Sequence, residues 1–335
     1  MTIKRWGITF PLEGVRLSEH KEVLQEAERL GYTDAWSSEV NGSDAFTPIA
    51  AAAAWTDKLR FGTAIANIYT RSPMLLAMNT VAAVEAAPGR FCLGLGTSSP
   101  AIVEKWNGVE LKHPLGRMRE TIAFLRQALA GERISMTIDY YQMHGAKLAR
   151  KPEPSPPIYI AALRERMLRL AGEKADGVII NFLSPADAGR VVKVARDAAR
   201  SAGRDPDALD VAARIFVVPT EDPQVAHMLG RVLLSAYLTT PYYYAFHEWL
   251  GRGDALSPVR EAWQAGERQT AMAALPEQVI DDILVYGNRQ QIIDKIEAYR
   301  SNGVDTPVIA IIPTLQDPAE QAKQGIAAVK TLAPS

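Results

Sequence analysis

Short apolar runs alternate with amphipathic segments along this chain. The runs show no sustained alternation with polar positions, which is typical of strands buried on both faces of a parallel sheet. Because eight such runs alternate with helical segments, we predict a closed α/β fold, the (β/α)8 TIM barrel, whose functional site lies at the C-terminal strand ends. The predicted strands are Ile3–Phe10, Asp34–Glu39, Leu59–Ala66, Phe91–Gly96, Pro157–Ala162, Gly177–Asn181, Val211–Val218 and Pro307–Ile312.

Several of the helices between these runs have recognisable starts. Ser72 and Ser184 each precede a proline, which predicts an N-cap residue followed by proline at the first helical position. These two serines therefore predict helices after the third and sixth strands.

Two segments interrupt the alternation within what we predict to be one domain, residues 1–335. Residues 133–146 are rich in β-formers and predict a small hairpin before strand five. Residues 222–286 predict a helical insertion after strand seven, and residues 237–263 of it are crowded with tyrosine, phenylalanine and tryptophan. These aromatic residues could form the core of the insertion or a dimer face, or they could wall a substrate pocket at the active-site end.

The charge balance argues against polyanionic partners. The chain has 37 lysine and arginine residues against 38 acidic residues, and no basic block suited to nucleic acid or to an anionic membrane. We expect small-molecule partners or a second copy of the chain. The single cysteine, Cys92, lies in an apolar run, so we expect a buried, inert thiol.

The start of the chain does not resemble a signal peptide. Its charged residues pass directly into the first strand, and no apolar stretch approaches the roughly 20 residues of a membrane-spanning helix. We therefore expect a cytoplasmic protein without a membrane anchor.

Residues at the predicted strand ends argue against several classes of barrel enzyme. All five histidines lie outside these ends, which disfavours a metal-dependent hydrolase, so we expect no metal. The ends carry no lysine for a Schiff base, and Glu39 is the one clear carboxylate where a glycosidase needs two. The remaining ends carry small residues, which suit the binding of a large cofactor that supplies the chemistry itself.

Several motifs occur in an order and spacing that resemble a known family. They span residues 94–108, 114–120, 158–163, 171–178, 237–243 and 251–254. Together they resemble the bacterial luciferase-like superfamily, and within it the branch that uses the deazaflavin coenzyme F420 and contains methylenetetrahydromethanopterin reductase. The resemblance extends over nearly the whole chain.

The resemblance implies a set of cofactor-binding residues. Glu39 matches an acidic position that contacts the deazaflavin ring, and the Ala64–Ile65 peptide matches a non-proline cis bond that forms a bulge behind the ring. The segment 161–163 precedes a helix whose free amides could bind the cofactor phosphate or acidic tail, with assistance from Arg164 and Arg166. The remaining candidates line the cofactor cleft: Gly96, Thr97, Ser98, Ser99, Ala161, Ala162, Leu163 and Asn181.

The chain departs from the family at positions that bear on proton transfer. Val40 replaces a histidine found in several coenzyme F420 enzymes, and the loop after Gly96 lacks the glutamate of the sugar phosphate dehydrogenase, which argues against glucose-6-phosphate oxidation. Glu39 and Ser98 are the candidate catalytic residues. Tyr69, a tyrosine of the insertion or water could also serve.

The resemblance implies an oxidoreductase that exchanges a hydride between coenzyme F420 and an apolar, unsaturated or carbonyl-bearing substrate. One alternative is an FMN-dependent luciferase-like monooxygenase, and a second is a flavin-binding protein without catalytic activity. The resemblance also implies a homodimer. The alanine-rich segment Thr47–Trp55 could form the interface, or it could simply pack tightly on the barrel.

Overall fold

The computed structural model describes residues 4–138 and 140–334. The strands of the main sheet are β1 (Gly7–Phe10), β2 (Asp34–Ser37), β3 (Arg60–Thr63), β4 (Ala66–Asn67), β5 (Phe91–Gly96), β8 (Ile158–Ala161), β9 (Gly177–Asn181), β10 (Asp210–Val217) and β11 (Thr306–Ile311). Eight of them form a closed parallel barrel in the order β3-β2-β1-β11-β10-β9-β8-β5, and pairing of β3 with β5 closes it. The predicted barrel is confirmed.

The strand boundaries differ from the sequence prediction mainly at the third strand. The predicted run Leu59–Ala66 is divided into β3 and β4 by residues 64 and 65, where the backbone leaves the ladder. The first strand begins at Gly7, and Ile3, the first residue of the predicted strand, lies outside the described part of the chain.

Helices surround the barrel, and two of them start as predicted. The Ser72 side chain accepts a hydrogen bond from the Leu75 amide, and Ser184 forms a capping box with Asp187. The helices are α1 (His20–Arg29), α2 (Thr47–Ala53), α3 (Pro73–Ala86), α4 (Pro114–Leu129), α5 (Glu165–Lys174), α6 (Pro185–Ser201), α7 (Pro223–Leu238), α8 (Pro241–Trp249), α9 (Gly253–Gln264), α10 (Arg268–Ala274), α11 (Glu277–Ile283), α12 (Arg289–Ser301) and α13 (Pro318–Thr331).

The two predicted insertions are present. Strands β6 (Ile134–Ile138) and β7 (Tyr141–Ala146) form an antiparallel hairpin between α4 and β8, within which Asp139 lies outside the described residues. Helices α7 to α11 follow β10, the seventh barrel strand, and bury a second apolar cluster against Phe182 and Phe216. This arrangement places the insertion over the C-terminal end of the barrel.

Large aromatic side chains fill the barrel interior. Trp36 and Tyr159 meet edge to face with ring centroids 5.5 Å apart, and both are almost fully buried. Gly62 provides the space for this packing, because a Cβ atom there would lie 2.4 Å from the Trp36 ring. The middle of the barrel is therefore a packed core rather than a channel.

A buried ionic network lies among the strand starts. Arg60 pairs with Asp34 and, at 3.0 Å, with Asp210, and the Tyr159 hydroxyl donates to Asp210 at 2.6 Å. Burial works to raise the pKa of Asp210, but the Arg60 charge and these hydrogen bonds bring it below its ordinary value. The network closes the N-terminal end of the barrel, so the space for a ligand lies at the opposite end.

In the described part of the chain, no helix combines the length and the apolar character needed to cross a membrane.

Candidate active site

A cavity of about 770 Å³ opens at the C-terminal ends of the barrel strands. Its walls come from the strand ends, the start of α5 and the insertion helices α7 and α8. All eleven predicted site residues line it: Glu39, Ala64, Ile65, Gly96, Thr97, Ser98, Ser99, Ala161, Ala162, Leu163 and Asn181. The structure thus brings together residues that are far apart in sequence, while their individual roles remain predictions.

The interruption between β3 and β4 forms one wall of this cavity. The peptide bond between Ala64 and Ile65 is cis, as the resemblance implies. The Ile65 side chain packs so closely against Gly96 that a Cβ atom on Gly96 would lie 2.5 Å from Ile65 Cγ1. Glycine is therefore required on β5 for the bulge to occupy this position.

Glu39 lies at the rim of the cavity and is held by an arginine that we did not predict. Arg71 donates two hydrogen bonds to the two Glu39 carboxylate oxygens, each of 2.6 Å. The Asn67 amide donates a further bond of 3.3 Å to Oε2. Both oxygens of Glu39 are thus occupied as hydrogen-bond acceptors, in the bidentate geometry that fixes a carboxylate most firmly.

The loop after β5 presents Ser98 in an unusual backbone conformation. Ser98 has a φ of 58°, in the left-handed region that few non-glycine residues adopt. Its neighbour Ser99 accepts a hydrogen bond from the Ile102 amide at 3.4 Å, at the start of the π-helix Ala101–Trp106. Backbone strain of this kind concentrates at functional sites, which makes Ser98 a reasonable catalytic candidate.

The start of α5 forms the anion-binding side of the cavity. No side chain caps this helix, and its first amides point away from the helix body. Arg164 and Arg166 are exposed at this end and line the cavity, and neither forms an ion pair within the described residues. A helix N-terminus flanked by two free arginines suits a phosphate or carboxylate group.

Aromatic residues of the insertion cover the cavity. Tyr237, Tyr242, Tyr243 and Trp249 line it, whereas Phe246 is buried in the core. The cluster is therefore divided between the packed core and the cavity wall, while the substrate role of the wall remains a prediction. The Tyr243 hydroxyl pairs with the Asn181 side-chain amide at 3.1 Å, and burial raises the Tyr243 pKa to about 12. This tyrosine stays protonated at neutral pH.

Two cavity or rim arginines, Arg71 and Arg214, were missed by sequence reasoning. Arg214 interrupts the apolar run of β10 and could have been found for that reason. Arg71 follows the bulge by six residues in an irregular segment, where no pattern reveals its contact with Glu39.

Tyr69, a candidate proton donor, is not among the residues that line the cavity, and its hydroxyl donates to the Lys112 carbonyl at 2.6 Å.

Comparison with known proteins agrees with this geometry. The model of the family described as luciferase-like monooxygenase matches residues 7–306, which is most of the chain. The chain belongs to this family. Luciferase-like proteins of this kind are enzymes, so the chain is an oxidoreductase rather than a flavin-binding protein without activity.

Several luciferase-like relatives extend the comparison. A 5,10-methylenetetrahydromethanopterin reductase of Methanolobus tindarius is 37% identical over 69% of this chain and 70% of its own length. The enzyme of the same name from Archaeoglobus fulgidus is 29% identical over 92% of this chain and 93% of its own. The solved structure of the coenzyme F420-dependent tetrahydromethanopterin reductase from Methanopyrus kandleri has a TM-score of 0.79 at 25% identity, over 98% of both chains.

Proposed function

We propose that this luciferase-like oxidoreductase uses coenzyme F420 and exchanges a hydride between the deazaflavin and a small organic substrate. The observation that carries the proposal is that one cavity combines the bulge at Ala64–Ile65 with the start of α5, which no side chain caps. The solved reductase from Methanopyrus kandleri, which is described as coenzyme F420-dependent, supports the same cofactor. An FMN-dependent monooxygenase is the alternative, since FMN also combines a flat ring with an anionic phosphate.

The residues present fit a deazaflavin with an acidic tail. Gly96 allows the bulge and the β5 backbone to approach closely, and the apolar Ile65 side chain lines the cavity, where the ring would lie against it. The exposed Arg164 and Arg166 lie at the mouth, beside the uncapped amides of α5. We propose that the phosphate and the acidic tail bind there, while the ring lies deeper against the bulge.

The protein's own contribution would be orientation, exclusion of water and proton transfer. When bound, coenzyme F420 would supply or accept the hydride at C5 of its ring. Phe182, Tyr237 and Trp249 line the cavity and would limit the access of water to a bound ring. Ser98 has no hydrogen-bond partner among the described residues, so its hydroxyl is free to exchange a proton with a ligand.

Glu39 would serve mainly to position the ring. Its two carboxylate oxygens are occupied by Arg71, so a role in proton transfer would require this pair to open first. We therefore propose Ser98 as the first catalytic candidate. We propose Glu39 as a cofactor-binding residue whose carboxylate is held in place by Arg71.

The anion-binding half of the proposal can be tested by equilibrium titration. Wild-type protein is titrated with coenzyme F420 and with the deazariboflavin that carries the same ring but no phosphate. We expect coenzyme F420 to bind at least about tenfold more tightly, because charged hydrogen bonds to the phosphate and tail contribute about 1.5–3 kcal/mol each. In the double variant Arg164→Met/Arg166→Met this preference should largely disappear.

Lys174→Met is the matched control, because Lys174 is an exposed cation at the opposite end of α5. It should leave both affinities unchanged. Equal binding of the two ligands by the wild-type protein would contradict the placement of the tail, and no binding of either would contradict the cofactor assignment.

A further inference from the structure

Arg214 projects into the cavity from the barrel interior. Ala212, two residues earlier on β10, packs inside the barrel with Trp36 and Tyr159. Because side chains alternate along a strand, Arg214 occupies the next inward position toward the C-terminal end. It lines the cavity and is partly accessible from it.

This arginine has no anionic partner. No carboxylate within residues 4–138 and 140–334 forms an ion pair with Arg214, and its Nε is buried without a hydrogen-bond partner. Its guanidinium lies 5.0 Å from the centre of the Phe216 ring. Burial lowers the pKa of Arg214. Electrostatic interactions with Tyr237, Tyr243 and Glu13 offset part of this decrease. A guanidinium remains charged even so.

Three other arginines of comparable burial are matched to carboxylates. Arg60 pairs with Asp210 at 3.0 Å, Arg71 with Glu39 at 2.6 Å, and Arg252 with Asp282 at 2.8 Å. An enclosed charge without a partner costs stability. Arg214 lacks such a carboxylate in the described part of the chain, as does Arg260, and of these two only Arg214 lines the cavity.

The position of Arg214 relative to the bulge follows from the strand order. In the closed barrel β10 lies four strands from β3 in either direction, so the two strands face each other across the axis. A ring lying against Ala64–Ile65 would therefore face Arg214, with the substrate between them. The walls of the cavity include the aromatic side chains of Phe182, Tyr237 and Trp249.

We propose that Arg214 binds a carboxylate group of the substrate, and that the substrate class is small carboxylic acids with an apolar body. The placement of the substrate between the ring and Arg214 rests on the proposed function, whereas the carboxylate site itself does not. A carboxylate would accept two parallel hydrogen bonds from the guanidinium, and the aromatic walls would take the apolar part of the molecule. The proposal thus restricts the range of apolar substrates that the resemblance implies to those that carry a carboxylate.

The experiment uses the apoprotein and two matched pairs of probes, followed by calorimetry. The pairs are trans-cinnamate with cinnamamide, and octanoate with octanamide, which keep the same body and remove the charge. We expect the wild-type protein to prefer at least one carboxylate over its amide by about tenfold or more. Arg214→Met should abolish this preference, and Arg214→Lys should retain a weaker one because it keeps the charge and loses the bidentate geometry.

Arg260→Met is the matched control. Arg260 also stacks on an aromatic ring, with its guanidinium 4.2 Å from the Tyr244 centroid and its Nε buried without a partner, but it does not line the cavity. It should leave the preference intact. Thermal unfolding without ligand provides a second readout, since Arg214→Met should unfold at the same or a higher temperature than wild type if the charge is kept for binding.

Each outcome decides between the two proposals. The carboxylate proposal is overturned if the wild-type protein shows no such preference, if the preference survives in Arg214→Met, or if that variant is markedly destabilised. It is also overturned if Arg214→Met weakens the binding of coenzyme F420 tenfold while carboxylate binding is unchanged, because Arg214 would then belong to the cofactor site. If the wild-type protein binds the carboxylates but not coenzyme F420, the cofactor proposal fails and the carboxylate site stands.

Discussion

Arg71 donates two hydrogen bonds of 2.6 Å to the Glu39 carboxylate at the edge of the cavity. Their side chains are 11% and 19% exposed, so the pair is largely removed from solvent. The guanidinium also lies 5.5 Å from the centre of the Phe46 ring. This contact joins the end of β2 to the segment after β4 and holds the carboxylate beside the bulge.

Replacing Arg71 by methionine should destabilise the fold and leave the Glu39 charge without its partner. Because one partner of a largely buried pair is removed, we expect a loss of about 3 kcal/mol in the free energy of unfolding, measured by urea titration. The exposed pair of Lys193 with Asp197 provides the control, and Lys193→Met should leave the free energy of unfolding almost unchanged. The double variant Arg71→Met/Glu39→Met should lose less than the sum of the single changes. Strict additivity would mean that the two residues are not coupled.

Adding one methyl group at Gly96 should displace the bulge. The new Cβ would lie 2.5 Å from Ile65 Cγ1, so Ile65 and its backbone must shift toward the cavity. We expect Gly96→Ala to weaken the binding of coenzyme F420 by about tenfold and to lower the free energy of unfolding by about 1–3 kcal/mol. Gly42→Ala is the control, since nothing lies within 4 Å of its added Cβ. Unchanged affinity in Gly96→Ala would show that the ring does not lie on this wall.

His247 should make the fold sensitive to mild acid. The side chain is fully buried in α8, and burial, with Arg252 nearby, lowers its pKa to about 4 despite the opposing charges of Asp187 and Asp282. As the pH falls from about 6.5 toward 4, the unfolded chain binds a proton at this residue and the folded one does not, so stability falls by roughly 3 kcal/mol.

The variant His247→Leu should flatten this part of the pH profile, measured as the free energy of unfolding between pH 7 and pH 4. The exposed His144 of the hairpin provides the control, and His144→Leu should leave the profile unchanged. If the free energy of unfolding of His247→Leu depends on pH as it does in the wild-type protein, other groups cause the acid sensitivity.

The barrel was predictable because its strands are buried on both faces and their apolar runs are continuous. The division of Leu59–Ala66 into β3 and β4 was not predictable from that pattern, since the residues on either side of the bulge are all compatible with a strand. The resemblance to the family, rather than propensity, pointed to Ala64 and Ile65.

The site was predictable where family motifs or strand ends marked it. Arg71 and Arg214 were missed, because their significance depends on which carboxylates lie near them in three dimensions. The homodimer and the cytoplasmic location remain predictions. In α2, Ala52 and Ala53 are buried while Ala50 is exposed, and Ala54, just after the helix, is exposed too, which is compatible with either interpretation of the alanine run.

The most direct test of the central claim is equilibrium titration of the purified apoprotein with oxidised coenzyme F420 and, separately, with FMN, followed by intrinsic tryptophan fluorescence. Trp249 lines the cavity and should report binding. We expect micromolar or tighter binding of coenzyme F420, with FMN at least about tenfold weaker, a difference of about 1.4 kcal/mol. Tighter binding of FMN would contradict the choice of coenzyme F420 and favour the monooxygenase alternative, and binding of neither would contradict the cofactor assignment altogether.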